Sequence, residues 1–247
     1  MKPWAWLAAG TFLYVVSLIV FAPAQLLDAK LDQASKGHLR LVSPEGTLWS
    51  GRGRAELRDQ AGNRRWAAPL AWRLRPSALL AGRMDFELAT DPPASLSAMS
   101  LSRSRIALSG VDIRLPAATL AAGIPDMAAW GVAGEIRLVA DSLAFGPGLA
   151  AGSATVHWQA AGSSLSPVSP LGDYALDVQG LDGGWRGSLR TTAGPLQISG
   201  QGAWQPGAHP RFEATAVVPA ARRAELAPFL RLLAVERSDG RFEWQLR

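Results

Sequence analysis

From Leu39 onward the chain places apolar side chains with a period of two. Met84, Phe86 and Leu88 alternate with polar or small residues, as do Tyr174, Leu176 and Val178, then Phe212, Ala214 and Ala216, then Phe242, Trp244 and Leu246. Shorter runs extend the pattern at Ile136 and Leu138, Val156 and Trp158, and Leu196 and Ile198. A strand turns successive side chains to opposite faces, so this period identifies half-buried strands. Turn residues between the runs favour antiparallel pairing. The expectation is a mainly β fold: a curved antiparallel sheet over 39–247 with two short helices. A chain of 247 residues, 48% of them hydrophobic and with 25 glycines and 17 prolines, suits one large turn-rich β domain or two small ones.

The first two dozen residues follow another rule. Trp4 to Ala22 carries no charge and is rich in Leu, Val, Ile and Phe. At about 1.5 Å per residue such a helix rises roughly 28 Å, near the thickness of a hydrocarbon core. Lys2 precedes the run and the next basic residue is Lys30, so the positive-inside rule puts Met1 in the cytoplasm and the bulk of the chain outside it. The expected organisation is a cytoplasmic stub and transmembrane anchor over 1–24, a short helical linker over 25–38 and a periplasmic β domain over 39–247. Ala22-Pro23-Ala24 also fits a signal-peptidase site, but the apolar run exceeds the usual length of a signal core. In the linker, Leu27 and Leu31 share a helical face, and Gly37 is placed to end the helix.

Two interruptions of the alternation read as helices. One starts at Pro116 (PAATLAAGIPDMAAWG) and one at Pro219 (PAARRAELAPFLRLLAV); proline suits the first helical position. Each follows a strand, opens Pro-Ala-Ala and has a second proline nine residues on, at Pro125 and Pro228. Each then reaches a glycine opening another strand, at Gly134 and Gly240. The offset is 103 residues through the second proline and 106 at the glycine. This self-similarity predicts two related halves, about 39–145 and 146–247.

Signals for catalysis are poor. With no cysteine there is no disulfide or thiolate chemistry. The only lysines are Lys2, Lys30 and Lys36, so no phosphate-binding loop with its lysine exists. His38, His157 and His209 are far apart and form no metal-binding pattern. Asp141-Ser142-Leu143 reads as a turn between strands. Asp173 and Asp177 would share one face of a strand, as a wet outer face also does. No catalytic residue, cofactor or metal is assigned. The net charge of +5 comes from arginines scattered along the chain, which suits solvated strand faces and not a nucleic-acid site.

What remains is a series of glycine and tryptophan motifs. Gly46-Thr47-Leu48-Trp49-Ser50-Gly51 reads as a short first strand bounded by glycines. Trp72 to Gly82 (WRLRPSALLAG), Gly172 before Tyr174, Gly200 before Trp204, and Gly240 before Trp244 follow in order. The tryptophans are expected to pack along one face of the sheet. With the apolar amino terminus ahead of them, these motifs resemble the protein N family of the bacterial type II secretion system over nearly the whole chain. The resemblance implies an accessory structural component held in the inner membrane. Its implied partners are the secretin of the outer membrane and the inner-membrane platform proteins. It implies no enzyme and carries no defined binding residues. Gly46, Thr47, Leu48, Trp49, Gly51, Trp72, Gly82, Gly172, Gly200, Trp204, Gly240 and Trp244 are therefore expected to be structural. The alternative is a periplasmic lipid carrier with an apolar groove of the AsmA-like kind.

Overall fold

The structure, a computed structural model, describes residues 3–59, 62–90, 96–121, 129–181, 183–205, 208–209 and 211–246. It divides into two compact units, Met1–Leu96 and Ser97–Arg247. The first holds α1 (Pro3–Val20), α2 (Gln25–Ala34), β1 (Leu39–Gly46), β2 (Ser50–Arg58), β3 (Arg64–Arg75), α3 (Pro76–Leu79) and β4 (Arg83–Thr90). Its strands pair antiparallel in chain order.

The second unit starts with β5 (Leu96–Ser102), β6 (Ile106–Pro116), α4 (Ala117–Ala121), β7 (Val132–Gly146) and β8 (Leu149–Ser163). It continues with β9 (Gly172–Leu181), β10 (Gly184–Ala193), β11 (Gln197–Trp204) and β12 (Arg211–Val217). A 3-10 turn (Ala220–Arg222), α5 (Arg223–Leu233), β13 (Val235–Glu236) and β14 (Phe242–Leu246) complete it. Neighbours in sequence pair antiparallel up to β12, after which β14 inserts between β12 and β13. The mainly β, antiparallel expectation therefore holds.

Each unit has its own core. In the first, Ala24, Leu41 and Trp72 are buried, with Leu27 and Leu31 of α2 and Leu70 and Leu88 of the sheet packed around them. The shared face of Leu27 and Leu31 is thus the face that α2 lays on β1–β4. Gly37 donates its N–H to the Asp32 carbonyl (2.9 Å) and ends the helix region. In the second unit, Leu226, Phe229 and Leu230 of α5 are buried with Leu196, Ala216 and Phe242. Val111, Ala140, Leu143 and Trp185 form another cluster, where the Phe145 and Trp185 rings lie 5.0 Å apart.

Several expectations are corrected. Residues 46–51 do not form the first strand: β1 ends at Gly46 and β2 starts at Ser50. Asp141-Ser142-Leu143 is not a turn between strands but lies inside β7, at a register shift between Val139 and Ser142. Both predicted helices form in part, as α4 and as the 3-10 turn with α5, while Pro125 lies outside the described residues. Trp204, expected in the core, is 44% exposed. The amino-terminal helix stops at Val20 and not Ala22, because Pro23 cannot continue it and disfavours helical geometry just before it. Its 18 residues rise about 27 Å. Among the described residues, no helix is long and apolar enough to cross a membrane.

Candidate functional site

The hexapeptide from Gly46 to Gly51 is the β1–β2 hairpin tip, with Gly46 and Gly51 paired across it. Gly46 adopts φ 94°, which permits the sharp exit from β1. Thr47 closes the turn twice over. Its N–H donates to the Ser50 carbonyl (2.9 Å). Its Oγ1 accepts from the N–H groups of Trp49 (3.3 Å) and Ser50 (3.2 Å). A hydroxyl in this role mimics a backbone turn, which is why Thr suits the position.

Gly51 is required for a different reason. A Cβ there would lie 2.3 Å from the Glu45 carbonyl oxygen and 2.6 Å from the Trp72 ring. The missing side chain lets the Trp72 indole lie across the hairpin, where it is 5% exposed. Its Nε1 donates to the Thr47 carbonyl (3.2 Å).

This tip grips the segment that leaves α1. The Leu48 N–H donates to the Ala22 carbonyl (2.8 Å), and the Ala24 N–H donates to the Gly46 carbonyl (3.3 Å). Pro23 bridges Thr47 in antiparallel fashion. Trp49 Nε1 donates to the Ile19 carbonyl (2.8 Å). The Ile19 carbonyl also accepts from the Ala22 N–H (3.2 Å), so the indole adds a second donor, supplied by the sheet, at the helix end. The Trp49 carbonyl in turn accepts from the Leu74 N–H of β3 (2.6 Å). The end of α1, the hairpin and β3 are thereby tied in one hydrogen-bonded chain.

Charge fastens the next element. Asp28 of α2 accepts from Arg40 Nε (3.0 Å) and Nη2 (2.8 Å), and from the Leu41 N–H (2.8 Å). The Arg40 guanidinium holds the Asp28 carboxyl below its ordinary range, against the opposing effect of burial. Nearby, Glu56 is 5% exposed. Arg58 (2.9 Å) and Arg64 (3.5 Å) flank it. Its carboxyl is likewise lowered, chiefly by the hydrogen bond from Arg58. These acids are held by arginines and none is poised as a proton donor.

The remaining motif residues separate into two places. Trp72 joins the hairpin, and Gly82 lies in the turn between α3 and β4. Gly172 opens β9, Gly200 and Trp204 belong to β11, Gly240 precedes β14 and Trp244 lies on it. All five are in the second unit and none reaches the hairpin's hydrogen bonds. There Trp244 lines an almost wholly apolar cavity of about 150 Å³ with Trp130, Trp158, Tyr174, Leu196 and Phe229. Its polar groups are turned onto backbone: Trp158 Nε1 donates to the Ala133 carbonyl (2.9 Å) and the Tyr174 hydroxyl to the Leu196 carbonyl (3.1 Å). Burial pushes the Tyr174 phenol well above its ordinary range.

The sequence reading did not gather this lining. Trp158 and Tyr174 both stood out as inward strand residues, but their juxtaposition comes from the β8–β9 register that pairs them. Asp173 and Asp177 are engaged separately. Asp173 accepts from the Ala160 N–H (2.7 Å) and Asp177 from the Thr155 hydroxyl (2.9 Å). Arg190 also lies 3.3 Å from Asp177.

A family model described as type II secretion system (T2SS), protein N matches residues 37–245. The matched stretch contains the hairpin, the cavity and every motif residue from Gly46 to Trp244. Comparison with curated proteins and with solved structures gives no match. The chain therefore belongs to the protein N family of the type II secretion system, a structural component of that machinery and not an enzyme family.

Proposed function

We propose that the protein is a membrane-anchored scaffold of the type II secretion apparatus. In this reading the uncharged run from Trp4 to Ala22, of which α1 is the helical part, sits in the inner membrane with its amino terminus in the cytoplasm, and both β units are periplasmic. The scaffold bridges inner-membrane platform proteins and the outer-membrane secretin without turnover. The observation that carries the anchor is the state of α1. Every described side chain from Gly10 to Val20 is exposed, including Phe12 (70%) and Leu13 (71%), while the helix end is tied to the sheet. A helix that is apolar all round is suited to hydrocarbon or to other helices and not to water. Tying its end to a hairpin holds the first β unit close to the membrane surface.

β13 ends the strand order and offers its outer backbone groups to a partner strand, whereas the outer edge of β1 is already taken by Ser35 and Asp28, which bond the Leu39 and Leu41 N–H groups. The lipid-carrier alternative has less support. The apolar cavity of about 150 Å³ matches one ring-sized group, and the clefts large enough for a bigger ligand, about 610 and 540 Å³, are lined by charged residues such as Glu56 and Arg64 or Glu213 and Glu243.

An internal duplication is part of the proposal. α4 joins the paired strands β6 and β7, and α5 lies between the paired strands β12 and β14, with each helix packed near its returning strand. The two halves, about 39–145 and 146–247, differ from the division into compact units because they rest on the sequence offset.

In-cell photocrosslinking along β13 of the full chain, read by mass spectrometry, tests the scaffold. Recovery of secretin or platform proteins supports it. Intact secretion complexes that never yield this chain would reject it.

A further inference from the structure

We infer that the β3–β4 turn is a second membrane contact, a short apolar finger that enters the headgroup region of the bilayer beside the exit of α1. This deepens the anchored reading and rests on it. The turn is ordered: Ala78 of α3 is 6% exposed. The N–H groups of Ala81 and Gly82 donate to the carbonyls of Ala78 and Leu79 (both 3.0 Å). Its outward side chains are apolar nonetheless. Leu80 is 94% exposed, Leu79 40%, and Met84 at the start of β4 43%.

A single exposed leucine on a soluble protein needs no explanation. Its place gives this one meaning. β3 runs toward the end of the sheet where the β1–β2 hairpin turns, because Ser50 pairs with Arg73 and Leu74 donates to the Trp49 carbonyl. Trp49 at that level holds the Ile19 carbonyl of α1. The helix exit and the α3 turn therefore share one end of the first unit, with the turn continuing beyond Leu74. If Val20 lies at the membrane surface, Leu79 and Leu80 lie at the same surface. Trp49 then takes the interfacial level that tryptophan favours.

The charges beside the finger suit that depth. Arg73, Arg75 and Arg83 flank it and are exposed. Arg75 is paired with Glu87 and Arg83 with Asp85 (3.2 Å), while Arg73 has no acidic partner among the described residues. Arginine at a membrane interface keeps its charge among headgroups while its stem covers apolar surface, and anionic phospholipid attracts it. The occupant is thus a bilayer containing anionic phospholipid, contacted by two leucines within an arginine collar.

Because the chain has no cysteine, single cysteines report cleanly. Leu80→Cys, Val16→Cys and Asn63→Cys variants of the full chain would each carry an environment-sensitive fluorophore. Each would be reconstituted into vesicles of phosphatidylethanolamine and phosphatidylglycerol with nitroxide quenchers at shallow or deep positions. Asn63 lies in the β2–β3 turn at the opposite end of the first unit and serves as the aqueous reference. The expected result is a blue shift and shallow quenching at position 80, deep quenching at position 16, and neither at position 63. Deep quenching at 16 with position 80 behaving like 63 overturns the finger and leaves the anchor. No quenching at 16 or 80 overturns both. Quenching at 80 alone keeps the lipid contact of the turn and removes the anchor. A Leu79→Ser, Leu80→Ser pair of substitutions in the Val16→Cys background should keep the fluorescence at 16 while weakening retention of the detergent-released protein on anionic vesicles. Unchanged retention would also overturn the finger.

Discussion

The two units attach their helices to their sheets by different means. In the first, α2 contains no buried residue. It is held by the half-buried Leu27 and Leu31 and by the Asp28–Arg40 pair, while the end of α1 is held by hydrogen bonds alone. In the second, α5 buries Leu226, Ala227, Phe229 and Leu230, with Leu226 and Leu230 fully covered against Phe242. Its ion pairs, Arg223 and Arg231 with Glu236, lie on the solvent side. Apolar burial is large and involves no titrating charge. Hydrogen bonds and ion pairs give smaller, directional ties that fix an angle and respond to conditions. The contrast fits a unit that must set the exit of an anchor and a unit that need only stay folded.

The largest effect should come from removing the apolar attachment. Phe242 is fully buried under α5, and truncating a buried aromatic costs about 3–5 kcal/mol. Phe242→Ala should therefore lower the denaturant midpoint of the second unit. Protease cleavage within 223–233 should rise, while the environment of Trp72 in the first unit stays unchanged. Equal loosening of both units would break the comparison.

A steric change in the first unit comes next. Gly51→Ala puts a methyl against the Glu45 carbonyl and the Trp72 ring, and overpacking of this kind costs up to about 3 kcal/mol. Trp72 fluorescence should shift to the red, and amide exchange at Leu48 and Ala24 should accelerate. A variant with unchanged exchange would show that the hairpin can shift without releasing the segment after α1.

Much of this architecture is legible in the sequence because its cause is local. Alternation at residues such as Tyr174, Leu176 and Val178 depends only on the pleat, and the Leu27/Leu31 face depends only on helical periodicity. The hairpin tip looks like a strand in sequence for an equally physical reason. Thr-Leu-Trp has strand-forming side chains, and the hydroxyl of Thr47 that closes the turn looks the same in sequence as one on a strand. The donation from Trp49 to Ile19 spans 30 residues of sequence and leaves no periodic trace. The short α3 carries only one local sign, proline at its first position. The cavity lining needs the β8–β9 register and the seating of α5, both of which are tertiary.

Charge separates the two attachments more gently. Asp28→Asn keeps an acceptor for the Leu41 N–H but removes the carboxylate charge that faces the Arg40 guanidinium, a change of about 1 kcal/mol. The folded Asp28 carboxyl titrates below its ordinary value because Arg40 donates to it. Its contribution is therefore complete above the unfolded value of about 3.9 and is lost as the pH falls through the lower folded value. Glu236, lowered by Arg231 and Arg223, titrates in the same direction, yet α5 keeps its buried leucines. Hydrogen exchange from pH 5 downward should thus open α2 before α5, and Asp28→Asn should remove most of that difference. Simultaneous opening would mean that α5 also depends on its ion pairs.

The smallest effect sharpens the comparison most. Trp49→Phe keeps a ring at the hairpin tip and removes only the indole N–H that reaches the Ile19 carbonyl, a loss of about 0.5–1.5 kcal/mol. Global stability should hardly change, because Trp49 is not among the buried core residues. What should change is the coupling of α1 to the sheet. The Ile19 carbonyl keeps the Ala22 N–H when the indole is lost, so the last turn stays closed while the helix is free to swing about Phe21 and Ala22. Spin labels at Val16 and Arg65 should then show a broadened distance distribution, while a pair within the second unit keeps its width. An unchanged distribution would assign the grip on α1 to the backbone ties of residues 22–24 to Gly46, Thr47 and Leu48, with Trp49 acting only as a turn residue. A broadened one would show that a single indole donor sets the angle at which the anchor leaves the sheet.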